Sequence, residues 1–134
     1  MSKAVRPKKP KPSVSIIGSG RLGSALAIAL SSLGYPIQAV VARRLATARK
    51  AAAMINQKTL ALKASELDLL PPSTVLLLTT PDDEIANTAQ KVSRSKRILT
   101  KGSIALHTSG ALSSNVLEPL ASIGFKVGSL HPLG

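Results

Sequence analysis

The 134-residue chain contains no cysteine and only two aromatic residues, Tyr35 and Phe125. The absence of cysteine excludes a disulfide scaffold and a thiolate metal site. The scarcity of aromatic side chains argues against RNA and single-strand binders, because these proteins stack bases on aromatic rings. The core must therefore consist of aliphatic residues and alanine, which favours close packing of helices on a sheet.

Histidines and long apolar runs are also scarce. The two histidines, His107 and His131, have no cluster of metal-ligating residues around them, so we predict no metal site. No apolar run reaches the roughly 20 residues that span a bilayer. The basic N-terminus is not followed by the apolar segment of a signal peptide. The sequence therefore predicts a cytoplasmic protein without a membrane partner.

Acidic residues are few, and the formal net charge is +12. Residues 1–12 are rich in lysine and proline and contain no acid, which predicts a disordered tail. We interpret this tail as solubilising, the alternative being weak contact with nucleic acid through charge. Residues 13–134 form one predicted domain. The positive charge of this domain suits an anionic ligand such as a phosphorylated cofactor, or reflects only a basic surface.

Apolar, β-branched runs alternate with segments of helical periodicity along this domain. We predict strands at residues 14–18, 37–42, 59–62, 74–80, 103–108 and 125–130. The first helix is expected to end at Gly34. A later helix is expected to have Thr80 as its N-cap, Pro81 as its first residue and Asp83 completing a capping box. This alternation predicts an α/β fold, a doubly wound and mainly parallel sheet between two layers of helices.

The motif G-x-G-x-x-G stands where the first strand ends and the first helix begins. In that context Gly18 allows a tight turn, Gly20 allows a pyrophosphate to approach the backbone, and Gly23 allows the helix to pack on the strand. The N-terminus of the helix would direct N–H groups at the phosphates. We predict a dinucleotide-binding loop, the alternative being a structural turn with chance glycines. The residues of this loop are Gly18, Ser19, Gly20, Arg21, Leu22 and Gly23.

The end of the second strand indicates which dinucleotide binds. An NAD site usually places an acidic residue there for the ribose 2′-hydroxyl. This chain has Arg43 and Arg44 instead, and no acid occurs between Gly18 and Glu66. Because a guanidinium can bind a 2′-phosphate through two hydrogen bonds, the sequence favours NADP over NAD. The alternative is a solvated basic start to the second helix.

Other predicted strands end in polar residues at the same edge of the sheet. After the fourth strand, Thr79, Thr80 and Pro81 are expected to flank the ribose and nicotinamide of the cofactor. After the fifth and sixth strands come candidate catalytic residues, which are His107, Ser109 and His131. These would act as a general acid or as substrate-binding groups. The alternative is that His107 bonds strand-end carbonyls and that Ser109 belongs to a turn.

The segments "VSIIGSGRLGSALAIALSSLGY", "LLLTTPDDEIA" and "HTSGALSSNVLEPLASIGFKVGSLHPL" resemble the N-terminal domain of a bacterial group of Rossmann-like oxidoreductases. This group is similar to the 6-phosphogluconate and β-hydroxyacid dehydrogenase superfamily. More distantly, it is similar to pyrroline-5-carboxylate reductases and deazaflavin-dependent NADP reductases. The resemblance implies a Rossmann fold, and it places substrate near the "HTSG" segment. It also implies a helical domain after residue 134, which would carry the catalytic lysine of the superfamily and form a homodimer.

The first hypothesis is an NADP-dependent oxidoreductase that transfers hydride to or from a small substrate, with this chain as its cofactor-binding domain. The second hypothesis is a nucleotide-binding or regulatory module without turnover, because fold alone does not separate the two. A nucleic-acid binder is the third class. The chain has neither the aromatic residues nor the helix-turn-helix pattern that would favour it.

Overall fold

Strands and helices alternate in the computed structural model, which describes residues 10–18, 20–95 and 102–130. Within these ranges the strands are β1 (Val14–Ile17), β2 (Ile37–Ala42), β3 (Leu60–Lys63), β4 (Val75–Leu78), β5 (Ile104–His107) and β6 (Lys126–Ser129). The α-helices are α1 (Arg21–Ser32), α2 (Leu45–Ala53), α3 (Asp82–Ser93) and α4 (Glu118–Ala121). 3₁₀ turns cover Ala64–Leu69 and Ser114–Leu117.

The six strands form one sheet in the order β3-β2-β1-β4-β5-β6, and every neighbouring pair is parallel. Two consecutive crossovers run outward from β1 to β3, and the chain then returns to the other side of β1 to continue through β4 to β6. This order confirms the predicted doubly wound parallel sheet. Its switch point lies between β1 and β4, where ligands bind in open α/β sheets.

The two faces of the sheet bury separate apolar clusters because successive strand residues point to opposite sides. Ile16 and Val40 pack with Ala27 of α1 and Ala51 of α2 on one face. On the other face, Ile17 and its neighbours pack with the 3₁₀ turn over Ala64–Leu69 and with α3 and α4. Helices therefore cover both faces, which confirms the three-layer architecture.

Helix α1 shows how small residues determine the packing. Gly23 and Ala27 are its buried residues, and they bring the helix backbone close to the sheet. At its C-terminus Gly34 has φ +92°, a conformation that side chains disfavour. The N–H of Tyr35 donates to the carbonyl of Leu30, and the N–H of Gly34 donates to that of Ser31. These two bonds form a Schellman motif, and they confirm that Gly34 ends the helix.

The predicted start of α3 is wrong by one residue. Pro81 is the N-cap, with φ −55° and ψ 151°, and the helix begins at Asp82 without a side-chain cap. Because Thr80 precedes the N-cap, its hydroxyl does not bond the first turn, and the predicted capping box does not form. Acidic side chains still occupy that turn, where their negative charge interacts favourably with the helix dipole.

Strand and helix boundaries differ by one or two residues elsewhere. Strand β3 is shifted by one residue from the predicted 59–62, because the N–H of Thr59 donates to the carbonyl of Asn56 in the preceding turn. Helix α4 has a single turn, with Pro119 near its start. The residues outside the described ranges include 1–9 of the predicted tail, Ser19 of the predicted loop and His131. No helix in the described ranges combines the length and hydrophobicity needed to cross a membrane.

Candidate functional site

A cleft of about 730 Å³ lies at the carboxyl ends of β1, β2 and β4. Its floor is formed by the ends of these strands and by the loop that follows β1. One wall comes from the segment after β2 and from the 3₁₀ turn over Ala64–Leu69, and the other comes from α3. The cleft therefore lies at the switch point of the sheet.

Two glycines of the loop are required by the fold itself. Gly18 has φ +104°, and a Cβ atom on it would lie 2.8 Å from Thr79 Oγ1. A Cβ atom on Gly23 would lie 1.8 Å from the carbonyl oxygen of Gly18. Both positions therefore exclude any side chain, and they hold the loop and α1 close against the end of β4.

Gly20 is different, because nothing in the fold requires a glycine there. Its φ of −67° and ψ of −168° are accessible to any residue. A Cβ atom on Gly20 would have no described protein atom within 4 Å, and Gly20 lines the cleft. A side chain at this position would therefore occupy space beside the cleft, and its absence leaves the backbone open to a ligand.

Gly20 is also the N-cap of α1, and no side chain caps this helix. The N–H of Ser24 is the first to find an intrahelical acceptor, at the carbonyl of Gly20 (2.8 Å). The N–H groups of the preceding turn have no intrahelical acceptor, and the helix dipole adds a partial positive charge there. This end of α1 can bind an anion.

The two threonines after β4 have different roles. The Thr79 hydroxyl contacts the carbonyl oxygens of Ile17 and Gly18, so it holds the end of β4 to the loop. The Thr80 hydroxyl is buried. Among the buried side-chain nitrogen and oxygen atoms of the described ranges, it is the one that lacks a hydrogen-bond partner. Thr80 and Pro81 both line the cleft. Thr80 therefore borders the cleft with a buried and unpaired hydroxyl.

Charge in the cleft is mostly positive. Among its lining residues, Arg21, Arg43, Arg44 and Lys91 are cationic and Glu84 is acidic. The Nη2 atom of Arg43 lies 3.0 Å from Oε2 of Glu84 and donates to it. The two side chains are 79% and 41% exposed. No acidic group within the described residues forms an ion pair with Arg44. The cleft therefore combines an excess of cations with the anion-binding end of α1.

The profile of the Rossmann-like domain family matches residues 2–132. The chain belongs to this family. No curated protein matches it in sequence.

Solved structures share the fold of this Rossmann-like domain. One from Bacteroides fragilis, named as an NADP oxidoreductase, is 23% identical, with a TM-score of 0.75 over 93% of this chain and 45% of that chain. Prephenate dehydrogenase from A. aeolicus, solved with hydroxyphenyl propionate and NAD⁺, is 18% identical, with a TM-score of 0.69 over 96% and 43% of the two chains.

A 3-hydroxyisobutyrate dehydrogenase from Mycobacterium tuberculosis, solved with L-serine, is 16% identical, with a TM-score of 0.72 over 92% of this chain and 41% of that chain. The Rossmann-like domain therefore spans less than half the length of these three proteins. At these identities the likeness establishes the fold.

Two of the candidate catalytic residues, His107 and Ser109, lie outside the cleft lining. His107 is fully buried at the end of β5. Its Nδ1 atom accepts from the N–H of Ser109 (3.1 Å), and its Nε2 atom lies 3.0 Å from the carbonyl oxygen of Ser113. This pairing indicates a neutral ring that donates through Nε2. His107 thus fastens the loop after β5, through a carbonyl of that loop and not through the strand-end carbonyls of the structural alternative. A catalytic role for it stays a prediction.

Ser109 has a comparable structural role. It is 6% exposed, and its hydroxyl accepts from the N–H groups of Ala111 and Leu112 at 3.1 and 3.2 Å. The hydroxyl therefore stabilises the turn of the same loop. Its part in substrate binding stays a prediction. His131 lies outside the described residues, so its catalytic role also stays a prediction.

The structure adds residues to the cleft that the sequence analysis did not single out. Four lie on one face of α3, at the spacing of successive helical turns, and these are Glu84, Asn87, Thr88 and Lys91. The spacing was visible in the sequence as positions i, i+3, i+4 and i+7. What the sequence did not show is that this face lies opposite Arg43, about 40 residues earlier in the chain.

Proposed function

We propose that this Rossmann-like domain binds NADP in the cleft and serves as the cofactor-binding part of an oxidoreductase. The observation that carries the proposal is the geometry of Gly20. A residue with ordinary dihedral angles and open space beside it has no steric reason to be glycine, and serine or asparagine would cap the helix better. Close approach of a ligand to the backbone supplies such a reason.

The N-terminus of α1 supports a pyrophosphate position beside Gly20. The free N–H groups of the first turn can donate to phosphate oxygens, and the helix dipole favours their negative charge. Arg21 lies in that turn and lines the cleft. The residues present therefore fit a dinucleotide, with Gly18 and Gly23 fixing the loop around it.

Arg43 and Arg44 support a 2′-phosphate position at the end of β2. Both residues line the cleft at the end of β2, where the adenosine half would lie. Each can offer several N–H donors to a phosphate. The described part of the chain has no acid next to them in sequence, although Glu84 approaches Arg43 from α3.

The end of β4 supports a position for the nicotinamide half. Thr80 and Pro81 line the cleft on that side, and the unpartnered Thr80 hydroxyl could bond a ribose or an amide once its side chain rotates toward the cleft. A nicotinamide supplies hydride-transfer chemistry when bound. The residues of this chain would orient it and exclude water from one of its faces.

The comparison with solved structures supports the oxidoreductase assignment through the function of those proteins. They are dehydrogenases or an NADP oxidoreductase, and each is more than twice the matched length. We therefore propose that substrate binding, the remaining catalytic groups and the homodimer involve a further domain of a longer protein. His107, Ser109 and His131 would belong to the substrate side of that complete site.

A nucleotide-binding module without turnover is the second candidate. It is favoured by the burial of His107 and Ser109, whose polar atoms are bonded to backbone groups. Oxidation of NADPH by the full-length protein with a panel of carbonyl and imine compounds would separate the two candidates. Turnover would exclude the module, whereas tight binding without any turnover would favour it.

Titration calorimetry with NADPH and NADH tests the proposal. We expect the chain to bind both and to bind NADPH more tightly. We expect Gly20→Val to abolish binding while lowering the melting temperature only slightly, because the added side chain meets only the ligand and valine is a poorer N-cap than glycine. Ala25→Val is the matched control, since Ala25 is exposed on α1 and outside the cleft. Equal binding by wild type and Gly20→Val would overturn the proposal.

A further inference from the structure

The ion pair between Arg43 and Glu84 joins the two sides of the cleft. Arg43 directly follows β2, and Glu84 lies in the first turn of α3, which follows β4. Strand β1 lies between β2 and β4 in the sheet, so the pair spans the carboxyl end of β1. The loop carrying Gly18 and Gly20 begins at that same end.

The position of Glu84 matters for any ligand that brings a negative charge to Arg43. The carboxylate already accepts a hydrogen bond from Nη2 of Arg43 at 3.0 Å. A phosphate at the same guanidinium would have to displace that bond or lie beside the carboxylate and be repelled by it. Because both side chains are exposed, the pair itself is weak, and a strong competitor can displace it.

Arg44 provides the contrast. It lines the same part of the cleft, and within the described residues no acid lies in ion-pair contact with its side chain. Of the two arginines after β2, one therefore has its charge opposed by Glu84 and the other does not.

We propose that Glu84 is a specificity-determining residue that limits the preference of the cleft for a 2′-phosphate. It does so by competing with the phosphate for Arg43. With an unphosphorylated ribose no such competition arises, and the carboxylate is an acceptor that a 2′-hydroxyl can use. The inference rests on the proposed function, since it assumes that the adenosine end of a dinucleotide lies beside Arg43.

The test uses 2′,5′-ADP and 5′-AMP as probes, which differ only in the 2′-phosphate. Their dissociation constants are measured by titration calorimetry for wild type, Glu84→Gln and Asp83→Asn. Asp83 is the matched control because it carries the same charge one residue away and does not line the cleft. We expect Glu84→Gln to bind 2′,5′-ADP about three- to tenfold more tightly at low salt, since one like charge is removed within a Debye length. Binding of 5′-AMP should stay the same or weaken, and Asp83→Asn should behave as wild type.

A double variant shows whether Glu84 acts through Arg43. If it does, Glu84→Gln improves 2′,5′-ADP binding less in an Arg43→Ala background than in wild type. A merely structural effect of Glu84 would change the melting temperature and both probes alike. Equal improvement for 2′,5′-ADP and 5′-AMP would therefore overturn the inference.

The remaining outcomes separate this inference from the proposed function. If wild type prefers 2′,5′-ADP and Glu84→Gln leaves the ratio unchanged, the inference fails and the NADP assignment stands. If wild type shows no preference and Glu84→Gln creates one, the NADP assignment fails and the inference is supported. If neither protein binds either probe, both are overturned.

Discussion

A Cβ atom on Gly23 would lie 1.8 Å from the carbonyl oxygen of Gly18, so these two glycines hold α1 against the loop after β1. Gly18 cannot easily move away from α1, because its φ is positive and Thr79 packs against it. We predict that Gly23→Ala lowers the free energy of unfolding by about 3 kcal/mol, the upper range for overpacking. Urea denaturation followed by circular dichroism measures this loss.

Gly20→Ala is the control for that prediction. Its added methyl group meets no described protein atom and alanine is only a poorer N-cap, so we expect its free energy of unfolding to stay within about 1 kcal/mol of wild type. A Gly23→Ala protein as stable as Gly20→Ala would contradict the close approach of α1 to the loop.

The arginines after β2 give a prediction about cofactor choice. We expect the double variant Arg43→Ala, Arg44→Ala to bind NADPH about ten- to a hundredfold more weakly, because charge-assisted hydrogen bonds to a phosphate contribute strongly. NADH binding should change by less than about threefold. Arg49→Ala is the control, since Arg49 is exposed on α2 and outside the cleft. Unchanged NADPH affinity in the double variant would contradict the assignment of these two arginines to the 2′-phosphate.

The salt dependence of binding provides an independent prediction. If the exposed arginines bind a 2′-phosphate, raising the ionic strength should weaken NADPH binding more than NADH binding, since salt screens exposed charges. Fluorescence titrations of both cofactors between about 0.05 and 0.5 M NaCl would show the difference. Parallel salt dependence of the two cofactors would indicate that the extra phosphate does not contact these cations.

Local patterns predicted the elements of this fold well because each has a short-range physical cause. The apolar run of β4 and the Gly34 end of α1 depend on neighbours in sequence. The start of α3 was misplaced because Thr80 is a good cap by residue type, whereas the extended ψ of Pro81 moves the helix start by one residue. Glu84 was missed because its meeting with Arg43 depends on the order of strands in the sheet.

The Thr80 hydroxyl gives a prediction that depends on the presence of a ligand. Thr80→Val removes a buried hydroxyl that has no partner in the described structure. Without a cofactor we expect the free energy of unfolding to stay the same or rise by up to about 1 kcal/mol, because an unpaired buried polar group is costly. With NADPH we expect about three- to tenfold weaker binding, measured by calorimetry.

Thr79→Val is the matched control for Thr80. Its hydroxyl contacts the carbonyl oxygen of Gly18, so its loss should lower the free energy of unfolding by about 1 kcal/mol. If Thr80→Val destabilised the free protein as much as Thr79→Val, the Thr80 hydroxyl would have an internal partner and would not be available to a ligand.

A substitution of His107 distinguishes a structural role of this residue from a catalytic one. His107→Leu removes the imidazole ring, which leaves its two partners, the N–H of Ser109 and the carbonyl of Ser113, without a bond. We expect a loss of about 2–4 kcal/mol in the free energy of unfolding, since each buried group left unpaired costs about 1–3 kcal/mol. Thr108→Val is the control, because that side chain makes no hydrogen bond within the described residues. If His107→Leu is as stable as the control and yet abolishes turnover in the full-length protein, the catalytic assignment is correct and the structural one is not.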